Sequence, residues 1–197
     1  MKIAILGTHG TFKTTLTYFL SGVLKSRAQT VGIVSEVAST CPYLKHGRGD
    51  LIAQTWILMT QAQREREKQD IHEYVVCDRS VVDNFIYALE HCQANNLPMP
   101  DWMEPFVLHH LKSYNFLFKT PLNRKGLVPD GIRDVDYEWQ EKIDKMLTNY
   151  LKEKGIKYYV LPASPPGKEE DLIAYATRQA MFMARKITDM DIQTSLV

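Results

Sequence analysis

The sequence has few cysteines, and it has no apolar segment of the length that a membrane span requires. Its three cysteines, Cys41, Cys77 and Cys92, are odd in number and match no zinc-binding spacing, so we expect reduced, buried thiols. No apolar run approaches the roughly 20 residues of a transmembrane helix. A strand-like segment follows Met1 and Lys2 with no signal-peptide pattern before it, which favours a cytoplasmic protein without a membrane partner.

The sequence also lacks a charge excess of either sign. It has 24 Lys and Arg residues against 23 Asp and Glu residues, a net charge of +1. A dedicated nucleic-acid-binding protein usually has a strong basic field, although a local basic patch can lie within a neutral total. With 45% hydrophobic and 24% charged residues, the composition is that of a globular protein and argues against disorder, collagen and coiled coil. The 197 residues predict a single domain, 1–197, with room for a lid.

Short apolar segments alternate with amphipathic helical patterns along the chain. Strands are predicted over 2–6, 31–34, 74–77, 114–118 and 157–161. Helices are predicted over about 13–27, 50–69, 81–93, 101–112, 136–153 and 168–187. This alternation is typical of the α/β class, in which right-handed crossovers build a parallel sheet with helices on both faces. Ligands of such sheets bind beyond the carboxyl ends of the strands.

A phosphate-binding pattern follows the first predicted strand. Gly7, Lys13 and Thr14 fit the P-loop spacing G-x-x-x-x-G-K-[ST], with Phe12 in place of the second glycine. In such a loop the backbone N–H groups and the helix N-terminus hold phosphates, the lysine reaches the terminal phosphates and the hydroxyl binds Mg²⁺. The predicted ATP-binding residues are Gly7, Thr8, His9, Gly10, Thr11, Phe12, Lys13, Thr14 and Thr15. A side chain at Phe12 restricts φ and can crowd the phosphates, and we expect His9 to point outward.

Carboxylates end the second and third predicted strands. Asp78 is a candidate to hold Mg²⁺ or accept a proton, and the alternative is a helix N-cap, a role for which Ser80 competes. Arg79 is a candidate to neutralise charge on a transferred phosphoryl group. Glu36 is a candidate base for an acceptor hydroxyl, and the alternative is a solvated loop carboxylate.

Four segments in this order resemble the P-loop nucleoside and nucleotide kinase superfamily. Within it the chain is most similar to the AAA-type kinase-like ATPases, which include a ribosylnicotinamide kinase domain, thymidylate kinase-like proteins and phage relatives. The segments span about two thirds of the chain and are Gly7–Thr15, Glu36–Ala38, Cys77–Ser80 and Pro129–Arg133. The resemblance implies a five-stranded parallel sheet in the order 2-3-1-4-5, ATP with Mg²⁺, and a lid that closes over the phosphates.

A polar segment rich in glycine and proline, about 119–135, is the predicted lid. Kinases need such a segment to exclude water and bring cations to the phosphoryl group. Its cations are Lys119, Arg124, Lys125 and Arg133. Arg133 is the first choice for the lid arginine and Arg124 the second. The alternative is an exposed loop with solvated charges.

The acceptor is expected between the segment after the second strand and the helices that follow the second and third strands. The candidates are Tyr43, Lys45, His46, Arg48, Gln54, Trp56 and Arg79. Trp56 and Met59 also fit a plain core stripe at helical spacing. The charges of the run 64–68 alternate in sign, which predicts a solvated helix face.

These residues predict a kinase that transfers the γ-phosphoryl group of ATP to a nucleoside- or nucleotide-type acceptor. An alternative acceptor is a hydroxymethylated base within DNA, with a basic track built from Lys45, His46, Arg48, Arg124 and Lys125. If a phage encodes the chain, the compartment is the host cytoplasm. A further alternative, prompted by Phe12, is a nucleotide-binding switch without catalysis. The sequence leaves a homodimer open.

Overall fold

The computed structural model describes residues 1–44, 49–123, 136–164 and 171–195, with side chains to residue 189. Strands and helices alternate along the chain, as predicted. The strands are β1 (Lys2–Leu6), β2 (Val31–Val34), β3 (Tyr74–Asp78), β4 (Phe116–Lys119) and β5 (Tyr159–Val160). The helices are α1 (Lys13–Lys25), α2 (Leu51–Gln69), α3 (Val81–Ala94), α4 (Met103–Leu111), α5 (Tyr137–Glu153) and α6 (Leu172–Ser195). A short 3-10 turn, Ala38–Thr40, precedes α2.

The five strands form one parallel sheet in the order β2-β3-β1-β4-β5. The α/β class and the strand order are therefore confirmed. In this register Ile5 lies beside Asp78, and Leu6 lies beside Lys119. The carboxyl ends of β1, β3 and β4 consequently reach the same edge of the sheet, where the predicted site residues follow.

Strand β1 is buried on both faces and divides the core in two. Ala4 and Leu6 pack with residues of α2, α3, α4 and α5. Ile3 and Ile5, which point to the opposite face, pack with residues of α1 and α6. This arrangement explains why the first strand is an uninterrupted apolar run from residue 3 to residue 6, since a strand covered by helices on both faces needs apolar side chains on both.

Three helices begin at side chains that the sequence marks as N-caps. The Asp50 carboxylate accepts from the Ala53 N–H at 2.8 Å, and the Asp136 carboxylate accepts from the N–H groups of Glu138 and Trp139. Ser80 caps α3 in a capping box with Asp83. The caps satisfy backbone N–H groups that have no partner within their own helix, and they fix the predicted starts of α2, α3 and α5.

The structure changes several boundaries. Strand β4 starts at Phe116 rather than at Tyr114, whose hydroxyl is held by neighbouring helices. Strand β5 has only two residues, both exposed, because it lies at the sheet edge and pairs with β4 alone. Helix α6 begins later than predicted and continues past 187 to Ser195.

Burial also differs from the sequence patterns at α2. Met59, predicted as a core residue, is 44% exposed, and Trp56 is only partly buried. In contrast, Glu65 within the supposedly solvated run has no exposed surface. The three cysteines are free and buried, as predicted. Among the described residues, no helix combines the length and apolarity required to cross a membrane.

Candidate active site

The loop between β1 and α1 begins at a glycine that no other residue can replace without a clash. Gly7 has φ 145°, and a Cβ on it would collide with the Thr120 hydroxyl. Its N–H donates to Asp83 Oδ1 at 2.8 Å, which ties the loop to α3. The close approach of β4 and the anchor on α3 together fix the direction in which the loop leaves the sheet.

Phe12 adopts the backbone conformation that the missing glycine would favour. Its φ of 61° and ψ of 22° lie in the left-handed region, and it stands at the N-cap of α1. The ring centroid lies 6.2 Å from that of Tyr175 in α6, at the core between α1 and α6. The loop therefore retains a glycine-like turn, and packing of the ring against α6 offsets part of the strain.

Lys13 is buried at the floor of this loop. Its Nζ donates to the Thr8 carbonyl at 2.5 Å and to Thr11 Oγ1 at 3.4 Å. Burial, and to a smaller extent the nearby Arg79, lower the pKa of Lys13 to about 7. A bound polyphosphate would reverse this shift, because negative charge favours the ammonium form.

Thr14 and Asp78 bring a hydroxyl and a carboxylate together at the start of α1. Thr14 Oγ1 donates to Asp78 Oδ2 at 2.5 Å. Burial raises the pKa of Asp78 above its usual range, and Lys13 opposes that shift. Ser80 rather than Asp78 caps α3, so the alternative prediction of Asp78 as an N-cap is wrong.

Glu36 and Arg79 connect the ends of β2 and β3. Glu36 Oε1 accepts from Arg79 Nη2 at 2.7 Å and from Arg79 Nε at 2.8 Å. Arg79 Nη1 also donates to the Gly7 carbonyl at 3.3 Å, so the guanidinium spans three strand ends. Burial opposes the charge on Arg79, but Glu36, Tyr87, Asp83 and Asp78 together outweigh it and hold the Arg79 pKa above its ordinary value.

These groups surround one open cleft of about 200 Å³. It is lined by Gly10, Thr11, Phe12, Lys13, Thr14, Thr15, Glu36, Asp78 and Arg79. Both predicted carboxylates thus face a single cavity beside Lys13. The cleft offers backbone N–H groups, an amine, a hydroxyl and two carboxylates, which suits a phosphorylated ligand with a divalent cation.

A second cavity of about 360 Å³ lies beyond Arg79. It is lined by Gly49, Gln54, Tyr87, Glu90, His91, Ala94, Asn95 and Trp139. The Arg79 guanidinium lies 5.3 Å from the centroid of the Tyr87 ring, so Tyr87 both contacts Arg79 and lines the cavity. Gln54 is 8% exposed, and its side-chain amide has no hydrogen-bond partner among the described residues. Of the predicted acceptor residues that the structure describes, Gln54 is the one that lines this cavity.

Sequence reasoning missed Tyr87 and Trp139. Tyr87 lies seven residues after Ser80 in α3, and this two-turn spacing on one helix face was the available signal. Trp139 lies in α5, far along the chain, and no sequence pattern connects it to α3. The centroids of the two rings lie 5.6 Å apart.

The prediction that His9 points outward is wrong. His9 is 5% exposed, and its ring lies 4.9 Å from that of Trp139 between centroids. The Tyr87 hydroxyl accepts from the His9 N–H at 3.1 Å, and the Gln140 side chain donates to the His9 carbonyl at 2.8 Å. His9 is therefore an anchor between the phosphate loop, α3 and α5.

Other predicted site residues lie elsewhere or outside the described residues. Lys119 is buried in β4 and paired with Asp144 at 2.8 Å, so it is not a lid cation. Tyr43 and Trp56 line a separate, open groove of α2 that does not include Gln54. The predicted residues Lys45, His46, Arg48, Arg124, Lys125 and Arg133 lie outside the described residues, as does most of the predicted lid.

Comparison with known proteins agrees with this architecture. A family model described as an AAA domain matches residues 2–170. No curated protein sequence gives a significant match. Among solved structures, the chain is similar to a NadR protein in complex with NR, with a TM-score of 0.68 and 17% identity over 92% of this chain and 50% of that one.

Two further solved structures match over nearly their whole length. Deoxyadenosine kinase from M. mycoides with bound dCTP has a TM-score of 0.67 and 18% identity over 96% of this chain and 100% of that one. Thymidylate kinase from Ehrlichia chaffeensis has a TM-score of 0.65 and 14% identity over 93% of this chain and 98% of that one. At these identities the likeness establishes a shared fold.

Proposed function

This chain belongs to the AAA domain family. We propose that it is a kinase that transfers the γ-phosphoryl group of ATP, with Mg²⁺, to a nucleoside- or nucleotide-type acceptor. The observation that carries the proposal is the position of Glu36 and Asp78, which line one cleft beside Lys13. A nucleotide switch needs a phosphate cradle and one carboxylate for its metal ion. A second carboxylate in the cleft supports a base that serves an acceptor hydroxyl.

The donor phosphates are assigned to the loop from Gly7 to Thr15. The backbone N–H groups at the start of α1 donate to phosphate oxygens, and the helix N-terminus adds partial positive charge. Lys13 exchanges its contacts with the Thr8 carbonyl and the Thr11 hydroxyl for the β- and γ-phosphates. These groups act by position and charge, as phosphoryl transfer requires.

Thr14 and Asp78 fit a magnesium ion. Both offer hard oxygen ligands, and the hydroxyl lies 2.5 Å from the carboxylate oxygen. No group of three or more His, Cys, Asp or Glu side chains within the described residues has metal-binding geometry. Magnesium at phosphate sites usually takes one or two protein ligands and fills its shell with water and phosphate oxygens. When bound, it neutralises charge on the β- and γ-phosphates.

Glu36 is the preferred base of the two carboxylates. Asp78 accepts from Thr14 and is assigned with it to the magnesium ion, whereas Glu36 lines the cleft from the end of β2 and is assigned to the acceptor. The acceptor oxygen bonds to the γ-phosphorus as the bond from that phosphorus to the β–γ bridging oxygen breaks, and Glu36 takes the acceptor proton. Arg79 stabilises the charge on the transferred group. Arg133, and second to it Arg124, are assigned to the lid side of that group.

The cavity beyond Arg79 is assigned to the acceptor. Tyr87 and Trp139 provide aromatic surface, and the buried Gln54 amide offers both a donor and an acceptor to the edge of a ring. A flat heteroaromatic group matches this combination of stacking and hydrogen bonding. The bound dCTP of the similar deoxyadenosine kinase and the bound NR of the similar NadR protein support the same class of ligand.

The proposal is tested by ADP release from Mg²⁺-ATP with and without pools of nucleosides, nucleoside monophosphates, ribosylnicotinamide and DNA with hydroxymethylated bases. We expect acceptor-dependent ADP release that Lys13→Ala abolishes in a folded protein. Equal release without acceptor would indicate a simple ATPase, and ATP binding without release would indicate a switch. Stimulation by the DNA pool alone, declining steeply with salt, would assign the acceptor to DNA instead.

The acceptor cavity has its own test. Gln54→Leu should raise KM for the acceptor and leave KM for ATP unchanged, because Gln54 lines the cavity beyond Arg79 and is not among the described residues that line the phosphate cleft. Gln63→Leu, which changes an exposed glutamine of the same helix, is the matched control. Equal effects of the two variants would remove Gln54 from the site.

A further inference from the structure

The turn that joins β3 to α3 carries two of the proposed catalytic groups on an unusual backbone. Arg79 has φ 81°, a left-handed conformation that is unfavourable for a residue with a side chain. Such a conformation persists only where its surroundings hold it. Three side chains hold the peptides after Arg79, and the first of them is Asp83 of the capping box, whose Oδ2 accepts from the Ser80 N–H at 2.9 Å. The Gln61 amide donates to the Arg79 carbonyl at 3.3 Å, and the Tyr114 hydroxyl accepts from the Val81 N–H at 3.1 Å.

The Gln61 and Tyr114 side chains are both hydrogen-bonded to the same buried atom. Glu65 Oε1 accepts from Gln61 Nε2 at 2.8 Å and from the Tyr114 hydroxyl at 2.6 Å. Glu65 has no exposed surface, and its other oxygen accepts from Lys2 at 2.9 Å and lies 2.8 Å from His110 Nε2. The carboxylate therefore divides its contacts, with one oxygen toward the turn and the other toward β1 and α4.

The Glu65 carboxylate determines which group donates and which group accepts in both hydrogen bonds to the turn. A Gln61 amide that was flipped would place its oxygen against Glu65 and lose its donor to the Arg79 carbonyl. The Tyr114 hydroxyl has a single proton, and since that proton goes to Glu65, a lone pair faces the Val81 N–H. The Glu65 carboxylate thus orients the Gln61 amide as a donor to the Arg79 carbonyl. It also orients the Tyr114 hydroxyl as an acceptor from the Val81 N–H.

We propose that Glu65 is a positioning residue that, through Gln61 and Tyr114, holds the Asp78–Val81 turn in the conformation that presents Asp78 and Arg79 to the cleft. The inference rests on the proposed function for its catalytic consequence, but its structural part stands without it. Among the described residues, the hydrogen bonds of Glu65 connect to the lining of the cleft through the bond from Gln61 to the Arg79 carbonyl. Substitution of Glu65 should therefore lower the rate of the chemical step and increase the local opening of the turn, while ATP binding is preserved.

The first test measures the turn itself, by amide hydrogen exchange at Ser80 and Val81. Glu65→Gln has nearly the same size but leaves a single acceptor oxygen, for which Lys2 on one side and Gln61 and Tyr114 on the other side compete. We expect exchange at these two amides to rise by about tenfold or more, because local opening sets the exchange rate. Gln61→Met and Tyr114→Phe, which each remove one of the two connections, should raise exchange partially and keep the inference testable if Glu65→Gln does not fold. His110→Leu is the matched control, since it removes a contact to the other oxygen of Glu65.

The second test is kinetic. Gln61→Met and Glu65→Gln should each lower kcat by about tenfold and change Kd for ATP by no more than about twofold. The double variant should have a kcat no lower than that of the poorer single variant, because both substitutions act through the same turn. His110→Leu should lower Tm without changing kcat. The inference is overturned if Gln61→Met and Tyr114→Phe leave amide exchange unchanged. It is also overturned if His110→Leu lowers kcat as much as Gln61→Met does. A wild-type protein without phosphoryl transfer would refute the proposed function, and the exchange data would still decide the role of Glu65.

Discussion

Glu36 Oε1 and Arg79 Nη2 lie 2.7 Å apart and join the ends of two adjacent strands at the edge of the phosphate cleft. The side chains are 15% and 8% exposed, respectively, so the pair is only partly screened by water. Removing one partner leaves the other charge desolvated and unpaired, which costs more than the pair itself contributes.

Glu36→Gln should lower kcat by roughly 10² to 10⁴, the usual contribution of a general base, with little change in Kd for ATP. The variant keeps the shape of the side chain but cannot accept the acceptor's proton. Steady-state kinetics and calorimetric titration of ATP measure the two quantities. Glu67→Gln, at an exposed carboxylate of α2, is the control. Near-wild-type turnover in Glu36→Gln would remove Glu36 from the mechanism.

The lowered pKa of Lys13 predicts that ATP binding takes up a proton. Since burial holds that pKa at about 7, Lys13 is mostly neutral at pH 8 in the free protein, and phosphate charge should return it to the ammonium form. Kd for ATP should therefore rise as pH increases above 7, with about one proton taken up at pH 8. Calorimetry in buffers of different ionisation enthalpy measures that number. Uptake that persists in Lys13→Met would assign the proton to another group.

Substitutions at Phe12 separate backbone strain from side-chain packing. Phe12→Ala removes the ring but leaves a residue with a Cβ in the left-handed conformation, so the backbone strain remains. Phe12→Gly removes both the ring and the backbone strain. We expect the glycine variant to be the more stable of the two by about 1 kcal/mol. This difference corresponds to roughly 2–4 °C in Tm for a chain of this size. An alanine variant as stable as the glycine variant would show that position 12 carries no strain.

The hydroxyl of Thr14 should be required for Mg²⁺ dependence. Thr14→Ser keeps the hydroxyl that lies 2.5 Å from Asp78, and Thr14→Val replaces it with a methyl group of similar size. We expect the serine variant to titrate with Mg²⁺ like the wild type, and the valine variant to need about tenfold more ion or to lose activity. Activity titrated against MgCl₂ at saturating ATP makes the comparison. Identical curves for both variants would exclude Thr14 as a ligand.

The fold was predictable because its determinants are local. Apolar runs such as 3–6 require helices on both faces, and N-caps such as Asp50 and Asp136 mark where helices begin. The parallel sheet then brings the ends of β1, β2 and β3 to one edge. Lys13, Glu36 and Asp78 could be placed near one another on that basis alone.

What the sequence did not predict depends on contacts between distant segments. Glu65 lies in a run of alternating charges, and nothing in that run indicates that Lys2, at the start of β1, is buried beside it. His9 was expected at the surface because it lies in a polar loop, yet Trp139 of α5 covers it. Lys119 likewise belongs to a buried pair with Asp144 rather than to a lid.

The most direct test of the proposed kinase activity follows the label of γ-labelled ATP in the presence of Mg²⁺ and pooled nucleosides, nucleoside monophosphates, ribosylnicotinamide and DNA. We predict that the label is recovered covalently on one class of acceptor with the wild-type protein, and that Lys13→Ala transfers none. Recovery of the label only as inorganic phosphate, or as unreacted ATP bound to the protein, would contradict the assignment of this cleft to phosphoryl transfer between nucleotides and their acceptors.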